Sequence, residues 1–189
     1  MLRYYYAMRV LSLAIVIALL FGISACKKVD EIVDSFTHFN FEADYVVGVP
    51  ASPITGIPLQ ITTPDIATHS DDVFTANKTR ADLVESVKLT ALVLSVKMPD
   101  GGDLKFLKSV DIYAKAEGLP EVRVAYKDLV PDDVGATLAL DVTGADVTEY
   151  FKKDKYQLKI GVTTDQPVTQ NYEVNAHSTF VVDAKVLGQ

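Results

Sequence analysis

Three histidines, His38, His69 and His177, come first, because imidazole is both a base near neutral pH and a common metal ligand. A zinc site needs paired ligands at short spacing, such as His-x3-His, with cysteine or carboxylate beside them. No such pairing occurs, so the sequence predicts no metal site and no cofactor. Nucleophilic catalysis needs a hydroxyl or thiol next to a base, and no Gly-x-Ser-x-Gly turn is present. His177 and Ser178 are adjacent, but neighbours in a strand point to opposite faces and cannot pair. No catalytic residue is assigned on these grounds. Carboxylates are more numerous. Asp71-Asp72, Asp100 with Asp103, Asp132-Asp133, and Asp141 with Asp146 all fall at or near expected loops. Converging loop oxygens can hold Ca2+, yet no Asp-x-Asp-x-Asp loop with a distal glutamate specifies such a site. The same aspartates could supply a glycosidase pair, a matter of distance that spacing does not decide. As isolated residues they are turn formers. Tyr45, Tyr113, Tyr126, Tyr150, Tyr156 and Tyr172 could line a recognition surface, but at strand spacing they read first as half-buried core with a wet hydroxyl.

The elements that must carry these residues are strands. Phe39, Phe41, Ala43, Tyr45 and Val47 step in twos with Asn40, Glu42 and Asp44 between them. Ile57, Leu59 and Ile61 alternate next. Val87, Leu89, Ala91 and Val93 alternate, and then the frame slips to Leu92, Leu94, Val96 and Met98, as in a strand buried on both faces or one with a bulge. A helix across Ala81–Leu92 is the rival, disfavoured by the β-branched residues from Val87 onward. Pro99-Asp100-Gly101-Gly102-Asp103 marks a turn. Further strands follow around Val110–Ala116, Val122–Tyr126, Leu138–Val142, Tyr156–Val162 and Tyr172–Val186. One short helix is expected over Ala145–Lys153, capped by Thr143, with Val147, Tyr150 and Phe151 pressed on the sheet. About seven to nine short strands with regular turns predict an all-β, immunoglobulin-like β-sandwich by architecture. Tryptophan is absent and the lone cysteine cannot form a core disulfide, so the pins of antibody-type domains are missing.

The beginning of the chain has a different character. Arg3 and Arg9 precede an apolar run of about 13 residues from Val10 to Gly22, short of the roughly 20 that a spanning helix needs. Positive start and short apolar run describe a signal peptide. The run ends in Ile23-Ser24-Ala25-Cys26, which resembles the lipobox of bacterial lipoproteins. That resemblance implies cleavage between Ala25 and Cys26 and lipid on the Cys26 thiol, then acylation of the new amine. Buried acyl chains contribute about 0.8 kcal/mol per CH2, so two or three of them anchor firmly. In such lipoproteins aspartate after the cysteine retains the protein in the inner membrane. Lys27 stands there instead, which implies the outer membrane. Behind a bacterial leader the Asn77-Lys78-Thr79 sequon has no meaning.

The expected organisation is therefore a signal peptide over 1–25, a lipidated tether over 26–35 and one β-sandwich domain over 36–189. In the tether, Val29, Ile32, Val33 and Phe36 allow one helical turn. The leader removes two cations and no anions, leaving the rest more acidic than the net −7 of the whole chain. Such a balance excludes nucleic acid as a natural partner. Partners are instead the membrane, through the N-terminal lipid, and an envelope protein or glycan. The leading expectation is a membrane-anchored, non-catalytic binding or structural module. The rivals are an envelope hydrolase using loop carboxylates and an apolar-ligand carrier with a cavity inside the sandwich.

Overall fold

Alternating apolar residues become strands where a neighbouring strand supplies hydrogen bonds, and eight of the nine strands among the described residues arise this way. The computed structural model describes residues 38–185; the leader, Cys26 and the tether lie outside the described residues. In chain order the elements are β1 (His38–Val49), β2 (Leu59–Thr62), β3 (Ile66–Ala67), α1 (Ser70–Ala76), a 3-10 turn (Ala81–Leu83), β4 (Val84–Met98), β5 (Leu107–Lys115), β6 (Val122–Lys127), β7 (Thr137–Val142), α2 (Thr148–Phe151), β8 (Lys155–Thr164) and β9 (Tyr172–Ala184). The strands lie in the order β1-β9-β4-β7-β6-β5-β8-β2, with β3 also on β8. Every pairing is antiparallel.

The corner is β7. Its Thr137–Leu140 half pairs with β4, whereas Asp141 and Val142 pair with β6. One curled sheet thereby becomes two layers, β1-β9-β4 facing β6-β5-β8-β2. Val47, Leu94 and Val174 of the first layer meet Ile112, Ile160 and Val162 of the second. The space left between them is about 30 Å³, room for little more than a water. The expected all-β sandwich is the fold, with nine strands.

The phase slip in β4 is a bulge. Its register against β9 jumps between Leu89 and Ala91, so Val87 and Leu89 are buried before the jump and Leu92 and Leu94 after it. Of the rival helix over this stretch only the 3-10 turn Ala81–Leu83 forms. Ile57, expected within a strand, precedes β2 and is exposed. The helix expected over Ala145–Lys153 shrinks to α2, because the Val147 N–H is committed to Val87 O at 2.9 Å. Thr143 does not cap it. Its hydroxyl donates to Arg123 O at 2.8 Å, and Asp146 Oδ1 accepts from Thr148 N at 2.9 Å instead. Tyr150 and Phe151 are buried as expected. A second helix, α1, was not anticipated; it drives Phe74 into the core at 1% exposure. Its first turn carries Asp71 and Asp72, residues assigned to a loop by sequence.

Candidate functional site

The histidines and loop carboxylates do not gather into one site; among the described residues His69 and Asp72 alone adjoin. His38 sits at the start of β1, 3.4 Å from Asp183. His69 precedes α1 in a left-handed conformation (φ 48°), 3.9 Å from Asp72. His177 lies on the outer face of β9, while Ser178 faces the opposite way and lines an inner cavity beside Phe180 and Leu158. The adjacent pair therefore makes no dyad. Asp100 and Asp103 follow β4, Asp132 and Asp133 precede β7, Asp141 pairs with Lys127 at 3.3 Å, and Asp146 leads into α2. Among the described residues no group of three His, Cys, Asp or Glu is placed to hold a metal. Most of the tyrosines do pack against the core: Tyr150 is buried with its hydroxyl donating to Pro120 O, and Tyr45, Tyr156 and Tyr172 are half-buried against the interior.

The feature that stands out is where the sandwich fails to close. Strand β1 ends the sheet order, and among the described residues its only strand partner is β9. Beside its free edge opens a cleft of about 370 Å³, within the range of small-ligand sites. Phe41, Glu42, Ala43, Asp44 and Tyr45 all line it. Ala176 and Ser178 of β9, the partners of Tyr45 and Ala43, line it as well, so the cleft lies along the inner face of β1 and β9, with Phe41, Ala43 and Tyr45 turned into it. Ile66, Ala67, Thr68 and His69 line it opposite, the margin of β3 turned away from β8. Tyr156, Leu158, Phe151 and Val73 complete an apolar floor. Phe41 is fixed there by stacking on Phe180 (4.9 Å between centroids) and by an edge contact with Phe151 (5.2 Å).

The electrostatics are one-sided. Glu42 and Asp44 border the cleft, though their carboxylates turn to Asn175 and His177 on the outer face of β9, and no Lys or Arg lines it. Asp44 Oδ1 accepts from Asn175 Nδ2 at 2.7 Å and from His177 Nδ1 at 3.1 Å; Glu42 Oε2 lies 3.8 Å from His177 Nε2. The Asn175 bond, then the His177 bond, hold the Asp44 carboxyl below the usual range. Burial raises the Tyr156 phenol, helped by Tyr45. A second cleft of about 380 Å³ beside Lys115, Glu117 and Gln157 holds Asp65 already partnered, with Lys155 at 2.5 Å and Gln157 at 3.0 Å. Sequence reasoning missed Glu42 and Asp44 as site residues, while Tyr45 and Tyr156, named as possible recognition residues but read first as core, both line the cleft. The alternation around Glu42 and Asp44 marks a strand, but nothing local shows that this strand ends the sheet.

No family model matches the chain, and no curated protein matches it. Among solved structures, PNGase F, a glycosylasparaginase from Flavobacterium meningosepticum, is similar over 78% of this chain and 43% of its own, at 14% identity and a TM-score of 0.41. The chain thus spans less than half of that protein. A structure titled FLHE matches over 78% of this chain and 98% of its own at 8% identity and a TM-score of 0.34. Turnip yellow mosaic virus protein matches over 80% and 97% at 10% identity and a TM-score of 0.29. Such likeness says nothing of function. The class the fold itself defines is an all-β sandwich whose β1, among the described residues, ends the sheet.

Proposed function

We propose that the protein is a lipid-anchored envelope lipoprotein of the outer membrane, cut before Cys26, whose sandwich binds a partner without catalysing a reaction. The observation that carries the binding role is the open cleft between β1 and the β3 segment, an apolar floor with two carboxylates on the outer face of the bordering strand. The lipobox at Ile23–Cys26 supports the anchor, and Lys27 supports the outer membrane. Three observations favour binding over hydrolysis. Ser178 and His177 face apart, the loop carboxylates sit on separate elements, and the carboxyls that shift (Asp44, Asp65 and Asp146) all shift downward. A general acid working at neutral pH needs its carboxyl raised. Internal voids of about 30 and 40 Å³ speak against an apolar-ligand carrier, since ligand sites run to several hundred.

Palmitate labelling in the native host tests the anchor: wild type takes up label, and a Cys26→Ala chain that stays labelled would overturn it. A photo-reactive residue in place of Ala43 should cross-link a defined envelope component, while the same residue in place of Asp132 should not. Glycan hydrolysis by the purified full chain that vanishes in Glu42→Gln would overturn the non-catalytic reading.

A further inference from the structure

The geometry points to an extended peptide segment of an envelope protein, alternating apolar and basic residues, as the occupant of this cleft, added as a strand to the free edge of β1. The inference rests on the binding role proposed above and names the partner of the same site.

A strand edge is a row of unpaired N–H and C=O groups, and a peptide that adds to it gains main-chain hydrogen bonds along its length. Here residues 41–45 all border the cleft, and among the described residues no strand pairs with the side of β1 away from β9. At about 3.3 Å per residue they offer roughly 16 Å of pairing. Side chains of an added strand alternate between two different environments. One set turns inward, onto Tyr45, Tyr156 and Val73, and is selected for apolar character. The other set turns outward, level with Glu42 and Asp44 on the solvent face of β1, where exposed carboxylates select Lys or Arg. Opposite charges across neighbouring strands attract, and like charges repel. That rule also disfavours a second copy of this chain as occupant. Two β1 edges paired antiparallel about Ala43 would set Glu42 and Asp44 against the same carboxylates of the other copy. The β3 margin across the cleft offers the incoming strand a second wall, so insertion would continue the sheet toward closure.

The test uses the full-length chain in detergent with fluorescent nine-residue peptides read by anisotropy. The probes are an alternating Val/Lys peptide, an alternating Val/Glu peptide, and a Val/Lys peptide of the same composition with its valines clustered. Two further Val/Lys peptides carry N-methyl groups on odd or on even residues. Binding of alternating Val/Lys should exceed Val/Glu by about tenfold, the combined effect of two exposed charge contacts. Glu42→Lys with Asp44→Lys should invert that order. Glu42→Lys alone, which leaves Asp44 bonded to Asn175 and His177, should erase most of it and covers the case of a misfolded double variant. At least one N-methylated peptide should fail to bind, and bound Val/Lys should slow amide hydrogen exchange in residues 41–45. Equal binding by the clustered peptide, or parent-like binding by both N-methylated ones, would overturn strand addition. Absence of peptide binding alongside a persistent Ala43 cross-link would also overturn it, leaving the binding role standing. Absence of both would remove the two together. A cross-link between residues 43 of two copies would assign the edge to self-pairing and refute the basic peptide.

Discussion

The hydroxyl of Thr148 closes the one stretch of β4 that no strand covers on its β7 side. β7 reaches only Leu92–Ser95, so the earlier part of β4 is met by the segment leading into α2. There Val87, 0% exposed, donates its N–H to Thr148 Oγ1 at 2.8 Å and accepts from Val147 N at 2.9 Å. Thr148→Val keeps the shape and deletes the acceptor, leaving the buried Val87 N–H only its weaker contact with the Asp146 carboxylate. A fully orphaned N–H costs about 1–3 kcal/mol; with Asp146 as partial partner but deprived of the Thr148 hydroxyl, about 2 kcal/mol is expected. For a domain of this size that lowers Tm by about 4–10 °C. Thr148→Ser retains the hydroxyl and gives up one methyl, about 1 kcal/mol. Asp146 adds a pH signature. Burial would raise its carboxyl, but the hydroxyl and N–H of Thr148, with Val87 N–H and Lys88, hold it below its ordinary value. A depressed folded pKa contributes stability that is present above the unfolded value of about 3.9 and disappears as pH falls through the folded one. Asp146 is exposed, so solvent screens its share, and the main cost belongs to Val87. Thr148→Val should therefore lose less on acidification than wild type. Urea unfolding at neutral and acid pH reads both effects. A Val variant within about 0.5 kcal/mol of wild type, or a Ser variant as costly as Val, would refute the reasoning.

Phe74→Ala should cost about 3–5 kcal/mol in urea unfolding, since α1 exists to seat that ring in the core. Gly102→Ala should destabilise by about 1–3 kcal/mol, because its Cβ would come 3.0 Å from Pro99 O and 3.1 Å from the Tyr172 and Val96 side chains. Gly135→Ala, with open space around its Cβ, should stay within about 0.5 kcal/mol in the same melts. Tyr156 should ionise above the ordinary tyrosine range in an ultraviolet titration that Tyr156→Phe simplifies by one late phenol. Its raised folded pKa contributes stability that is full below about 10 and lost as pH rises through the folded value.

Eight strands were legible because each carries its own period of two, and even the β4 bulge is written in the sequence as the step from Val87 and Leu89 to Leu92 and Leu94. What sequence could not show is which strands adjoin. β1 reads as an ordinary half-buried strand, and only the β1-β9-β4 order makes it an edge. Strand β3, two residues long, carries no periodicity. α1 is shorter than two helical turns and has no side-chain cap, so its helical period never develops; Asp71 and Asp72 before Val73 and Phe74 were its sole local signal. The candidate site inherits that blindness. Its floor joins Phe41, Phe151 and Tyr156, which lie far apart in the chain and meet only after the sheet curls at β7.

An exposed strand of twelve residues would ordinarily invite aggregation, and natural edges are blunted by proline, bulges or inward-pointing charge. β1 has none of these over Phe41–Tyr45: no proline interrupts it, its register against β9 runs unbroken, and its inward residues are Phe41, Ala43 and Tyr45. Among the described residues its defence is outward charge, Glu42 and Asp44 on the solvent face. That defence works against another acidic edge, including a second copy of itself, because carboxylates would stand opposite carboxylates. Against a strand bearing lysines at the matching positions the same two groups attract. The edge is thus guarded by a charge that selects rather than by a shape that excludes. Neutralising it in Glu42→Gln with Asp44→Asn should accordingly raise self-association of the full chain at low ionic strength, measured by sedimentation, while weakening the preference for a basic partner. Unchanged sedimentation would show that something other than these carboxylates keeps β1 apart.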